Sequence, residues 1–97
     1  MKLRFTPRAT QDIVEIAECI RAENPRAAER VRAAILESLQ NLVLIPRMGR
    51  AQTVEGVRKL VTRKYRYLVY YLEDEANDEV VILTIRHPAR SRNFQDD

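Results

Sequence analysis

The sequence is poor in the residues that build metal sites, disulfides and membrane spans. Its 97 residues include one cysteine, Cys19, and one histidine, His87. A lone cysteine excludes an intramolecular disulfide framework. One Cys with one His cannot make a Cys/His zinc centre, and neither a metal nor a cofactor is expected. No apolar run approaches the ~18–20 residues that cross a bilayer. The opening MKLRF leads straight into polar and charged residues, unlike a secretory signal. A cytoplasmic protein without membrane contact is the expectation. Internal repeats and low-complexity segments are absent as well.

What is present suits a single domain over residues 1–97. A chain of this size buries only roughly 60–65% of the surface it exposes when unfolded, so its stability margin is thin. Hydrophobic residues make up 45% and charged residues 32%, which argues against disorder for most of the chain. The net charge is +3 and the pI is near 9.4, a balance that suits an acidic partner.

Lys2 to Phe5 alternates and reads as a short strand. Thr6 followed by Pro7 is an N-cap with proline in the first turn, and Ile13, Ile16, Ala17 and Ile20 then recur at helical spacing. Asp12, Glu15 and Glu18 fall off that stripe and read as solvated. Cys19 borders it and reads as a half-buried helix residue. This helix is expected to stop by Asn24, because a residue before proline resists the α region. Asn24–Pro25 restarts the pattern, and Val31, Ala34, Ile35, Ser38, Leu39 and Leu42 stripe a second helix to about Val43. Pro46 and Gly49 break it. The period then becomes two: strands are predicted over Val54–Val61, Tyr65–Leu72 and Val80–Arg86, with an acidic loop, Glu73–Glu79, before the last. VVILTI is nearly all apolar and belongs in the sheet interior. Residues 91–97 read as a polar tail open to disorder. The order β-α-α-β-β-β implies an α+β fold, with the N-terminal strand and a helical hairpin packed on one face of a small, mostly antiparallel twisted sheet. The other face has no element left to cover it and is expected to be the working surface.

Val57 to Tyr71 holds five basic residues and no acidic one. Strand alternation puts Tyr65, Tyr67, Val69 and Tyr71 on one side, and Arg66, Leu68, Tyr70 and Leu72 on the other. In the last strand it puts Val81, Leu83, Ile85 and His87 together, opposite Thr84 and Arg86. Arg66 is costly to bury unpaired, so its face should be open or Arg66 should be paired with an acid. Arg58, Arg66, Arg86, His87, Arg90 and Arg92 are expected to converge on that face. Lys59, Arg63 and Lys64 add charge, giving a surface for phosphate or carboxylate with tyrosines that could stack on bases. His87, the only side chain with a resting pKa near neutrality, is a candidate general acid or base. A lone histidine is structural more often than catalytic, and it reads first as the residue that ends the strand and bonds the backbone.

The succession QDIVEIAECI, ENPRAAERV, LVLIPRMGR, VRKLV, YRYLVYYL and VVILTIRHPAR resembles the RelE/ParE superfamily of bacterial type II toxin–antitoxin toxins over nearly the whole chain. The resemblance implies a compact toxin in bacterial cytoplasm, wrapped by the C-terminal segment of a cognate antitoxin in a heterotetramer or larger complex. Ile13, Ile20, Val31, Leu39 and Tyr70 would then contact the antitoxin. The superfamily divides by target. RelE-like members cut messenger RNA on the ribosome, and Arg58, Arg66 and His87 match their catalytic positions. The tyrosine expected after that histidine is Pro88 here, and among carboxylates only Glu55 is a candidate base. ParE-like members inhibit DNA gyrase by binding it, and the ending His87-x-x-Arg90 is more similar to that branch. The resemblance thus implies a ParE-like gyrase inhibitor, with a ribosome-dependent endoribonuclease as the alternative.

Overall fold

Two residues with free side-chain oxygens, each followed by proline, start the helices. In the computed structural model, which describes residues 1–88, the first strand is β1, Lys2–Phe5, and helix α1 spans Pro7–Arg21. Thr6 Oγ1 accepts the Ala9 N–H at 3.0 Å, satisfying a donor that the helix leaves orphaned. Asn24 Oδ1 does the same for the Ala27 N–H at 3.1 Å, and α2 runs over Pro25–Leu44. The first helix ends before the Asn24 limit because the N–H groups of Glu23 and Asn24 both turn back to the Ile20 carbonyl, at 3.0 and 2.8 Å.

The remaining strands are β2, Arg50–Ala51, β3, Val57–Val61, β4, Leu68–Asp74, and β5, Glu79–Arg86. They form one sheet in the order β1-β5-β4-β3-β2, with β1 parallel to β5 and every other pair antiparallel. The α+β class, the helices on one face and the interior place of VVILTI are as expected. β2 was not anticipated, since two residues leave no alternation to read. Ala9, Val31, Ile35, Leu39 and Leu42 from the helices close on Val69, Tyr71, Val80 and Ile82 from the sheet.

Three strand assignments are corrected. β3 begins at Val57, not Val54, because the Val57 N–H bonds the Val54 carbonyl (3.1 Å) around Gly56, whose φ is +84°. β4 begins at Leu68, not Tyr65: Tyr65 and Arg66 have φ of 68° and 57°, left-handed values that no strand accommodates. Arg66 is therefore an exposed turn residue rather than part of a sheet face. In β5, Tyr70 pairs with Thr84 but Tyr71 pairs with Ile82. Leu83 is thus an extra residue, a bulge that reverses the alternation. Val80, Ile82 and Ile85 all join the core under the helices, so Ile85 does not share a side with Val81 as simple alternation predicts.

The bulge lies where β1 runs out. The β1–β5 register ends at Phe5↔Ile82, and beyond it the edge of β5 is served by the start of α1. The Thr6 N–H donates to the Ile82 carbonyl at 3.1 Å and Thr6 Oγ1 donates to the Leu83 carbonyl at 2.8 Å. Asp12 Oδ2 accepts the Ile85 N–H at 3.0 Å and the Thr84 hydroxyl at 2.5 Å. Asp12 is therefore a structural acceptor, its side chain only 13% exposed, and not the solvated residue expected.

The exit from α2 is fastened to the sheet by Tyr71. Its hydroxyl accepts the Gly49 N–H at 2.8 Å and donates to the Pro46 carbonyl at 2.7 Å. Arg58 Nη1 donates to the Gly49 carbonyl at 2.8 Å. A Cβ on Gly49 would lie 2.6 Å from Tyr71 Oη, 2.8 Å from Tyr71 Cε1 and 2.9 Å from the Lys59 carbonyl. This explains the glycine of the PRMGR break by space alone. Gly49→Ala is expected to lower stability by about 1–3 kcal/mol through overpacking, and Tyr71→Phe by a similar amount because the buried Gly49 N–H loses its acceptor. Urea unfolding checks both; an unchanged midpoint for Gly49→Ala would mean that the loop moves aside freely.

Candidate functional site

The cations of the basic stretch point in different directions. Cross-strand register puts Arg58 beside Tyr71, on the helix side of the sheet, while Lys59 pairs with Arg50 and Tyr70 on the other side. Arg86 pairs with Leu68 and shares the side of Lys59. Arg63, Lys64 and Arg66 are exposed in the β3–β4 turn, residues 62–67. His87 lies just past β5. Arg58 is three residues along β3 from Val61, the residue level with Leu68 and Arg86. It is thus about 10 Å from that level along the strands and about 10 Å away across two strand spacings. Arg58 therefore does not share a face with Arg86, whereas Arg66, in the turn before Leu68, and His87, just after Arg86, lie at the same end of the sheet; Arg90 and Arg92 lie outside the described residues. Glu55 is exposed in the β2–β3 connection.

The face away from the helices is not bare either. Tyr70 and Val81 point to it, and each is only 2% exposed. Around them lie Arg4, Arg50, Lys59 and Arg86. Arg4 is held by Glu79 at 2.9 Å. Arg50 and Lys59 stand directly opposite each other, a like-charge pairing that costs stability. The candidate antitoxin contacts on the helices are likewise less open than expected. Val31 and Leu39 are consumed by the core, and Ile13 and Ile20 are half-buried against it. The exposed large apolar side chains include Leu44, Ile45, Met48 and Val54, around the loops that flank β2.

At the end of the sheet where β5 leaves α1, a cleft of about 340 Å³ opens. Its polar lining is Arg8, Asp12, Glu15, Arg86 and His87; Ile16, Ile20 and Ile85 form its apolar part, with Cys19 and Tyr67 between. Cys19 is exposed here, not half-buried. The rings of Tyr67 and His87 meet edge to face, centroids 5.4 Å apart and planes at 88°. Tyr67 thus stands beside the histidine, although the sequence offers Pro88 where a tyrosine was sought. No sequence signal marked it, because Tyr67 and His87 meet only through the pairing of β4 with β5. Chemically the cleft offers a histidine, a phenol and two carboxylates of opposing charge to its arginines. Asp12 already spends one oxygen on β5. Among the described residues, no group of His, Cys, Asp and Glu could hold a metal ion, and no helix is long and apolar enough to cross a membrane.

The family model for the ParE toxin of the type II toxin–antitoxin system, parDE, matches residues 3–92. The chain belongs to this family. It is 33% identical over 86 residues to "Putative toxin Y4kP" of Sinorhizobium fredii, covering 89% of this chain and 86% of that protein. In structure it is similar to the chromosomal ParDE toxin–antitoxin system of P. aeruginosa, with a TM-score of 0.78, 26% identity, and coverage of 90% of this chain and 95% of that one. The intact RelBE toxin–antitoxin complex of E. coli shares the fold, with a TM-score of 0.69 at 16% identity over 92% of this chain and 98% of that one.

Two consequences can be measured. Asp12→Ala is expected to destabilise the fold by about 1–3 kcal/mol, because the Ile85 N–H loses its acceptor. Asp12→Asn, which keeps a carbonyl oxygen there, is expected to lose less; urea midpoints that rank the two in the reverse order would contradict the role given to Asp12. Burial pushes the Tyr67 hydroxyl above its ordinary pKa, and the neighbouring Cys19 adds to the rise. Burial raises Tyr71 as well, against hydrogen bonding to Gly49. Unfolded tyrosines titrate at about 10, so above that pH the unfolded chain releases protons first. The stability is intact below about pH 10 and falls as the pH climbs further. Tyr67→Phe should flatten that fall in unfolding curves taken at successive pH values.

Proposed function

We propose that this type II toxin is ParE-like in action: it inhibits DNA gyrase by binding and is neutralised by a cognate antitoxin in a heterotetramer or larger complex. The observation that carries this reading is the separation of Arg58 from the other residues a RelE-like ribonuclease would need. The Arg58 guanidinium lies on the helix side of the sheet and bonds the Gly49 carbonyl. Arg66 and His87 lie at the end of the sheet where Leu68 pairs with Arg86. Arg58 is thus poorly placed to hold a phosphate at which His87 moves a proton. Likeness to a ParDE system over 90% of the chain gives further support. An antitoxin partner fits the toxin–antitoxin systems among the structural relatives and the unanswered cations Arg50 and Lys59, which an acidic segment would neutralise.

The edge-to-face contact of His87 with Tyr67 favours the ribonuclease alternative, and a paired assay separates the two. Purified toxin should block gyrase supercoiling while leaving message intact in a translating extract, and stoichiometric antitoxin should restore supercoiling. His87→Gln is expected to change gyrase inhibition by less than about two-fold. Codon-positioned cleavage that falls by about 10²–10⁴-fold in that variant would instead identify His87 as a proton carrier and overturn the gyrase reading. Arg66→Glu should fold normally, since the residue is exposed, and should weaken target engagement.

A further inference from the structure

The β3–β4 turn is built against ordinary backbone preference. Tyr65 and Arg66 are consecutive left-handed residues, with φ of 68° and 57°, where a hairpin free of other demands uses Gly, Asn or Asp. Thr62, only 1% exposed, holds the turn in this form. Its N–H donates to the Tyr67 carbonyl at 2.9 Å. Its Oγ1 donates to the Lys64 carbonyl at 2.6 Å and accepts the Tyr67 N–H at 3.0 Å. The result is a run of four exposed side chains, Arg63, Lys64, Tyr65 and Arg66, with the tyrosine 45% exposed. Among the described residues, none of the three cations is in an ion pair. Arg63 and Lys64 also form one wall of a polar depression of about 400 Å³, whose opposite wall on α2 carries Glu37, Ser38 and Asn41.

We propose that this turn binds single-stranded nucleic acid, with a backbone phosphate held in the depression by Arg63 and Lys64 and a base stacked on Tyr65. The two cations and the hydroxyl and amide of Ser38 and Asn41 supply the donors a phosphate requires. An aromatic ring flanked by cations suits an unstacked base, because every base offers a π-face. An acidic peptide would answer the charges and leave the exposed ring without a role. A duplex, whose bases are already stacked, would do the same. Thr62 fixes the turn before binding, which lowers the ordering cost. Glu37 is the one wall residue that opposes a phosphate.

The test uses the full chain alone and a short fluorescent single-stranded oligonucleotide of mixed sequence, followed by anisotropy across a salt series. The matching duplex and poly-glutamate serve as competitors. Tyr65→Ala is expected to weaken binding about 5- to 150-fold, with Tyr65→Phe restoring it. Combining Arg63→Gln with Lys64→Gln should reduce the steepness of log K against log salt by about 0.7, one phosphate contact's worth. Glu37→Gln should bind more tightly than the parent. All these residues but Glu37 lie in the exposed turn and Glu37 is exposed on α2, so unaltered thermal unfolding confirms that each variant is folded. The proposal is overturned if the parent fails to bind at low salt, if Tyr65→Ala binds as the parent does, or if duplex or poly-glutamate competes as well as the single strand. Gyrase inhibition is read on a different partner, so either property can fail while the other stands.

Discussion

A β-strand that outruns its neighbour must find partners for the backbone groups left at its edge. Here β5 continues past β1, and the start of α1 supplies what the missing strand does not. Thr6 caps the helix with the same hydroxyl that reaches Leu83, and Asp12, farther along the same helix, takes the Ile85 N–H and the Thr84 hydroxyl. The helix is thereby docked in one orientation on the sheet. That orientation opens the cleft between α1 and the end of β5, where the pairing of β4 with β5 sets His87 beside Tyr67. The bulge at Leu83 belongs to the same arrangement, since it turns Ile85 inward to the core while its neighbour Thr84 meets Asp12.

The density of positive charge in the middle of the chain resolves into separate tasks. Arg58 is structural: with Tyr71 it ties the α2 exit to the sheet at Gly49, where no side chain fits. Arg50 and Lys59 face each other on the side away from the helices, a repulsion that an anionic partner would relieve. Arg63, Lys64 and Arg66 crown a strained turn. A bundle of cations that looked like one recognition surface when counted along the sequence is therefore a brace, a cross-strand pair and a loop tip.

Several features were legible because their causes are local. Thr6–Pro7 and Asn24–Pro25 carry helix starts in adjacent residues, and the 3.6-residue spacing of Val31, Ile35, Leu39 and Leu42 needs only the helix itself. Alternation correctly put Val69 and Tyr71 together. It failed at Leu83, where one extra residue shifts the count. It also failed at Tyr65–Arg66, where two residues without turn chemistry are held left-handed by Thr62. Asp12 looked solvated since its β5 partners are more than seventy positions away in sequence, and Tyr67 was passed over because only the β4–β5 pairing brings it to His87.

The sequence by itself determined the kind and order of the elements, the helix caps and the membership of a toxin family, because these follow from neighbouring residues or from a pattern that spans the whole chain. Only the tertiary structure decided which cations share a surface, that Tyr70 is covered, and that Tyr67 stands by His87. Those outcomes depend on strand register, and register here turns on a single bulge whose stabilising partners come from the opposite end of the chain.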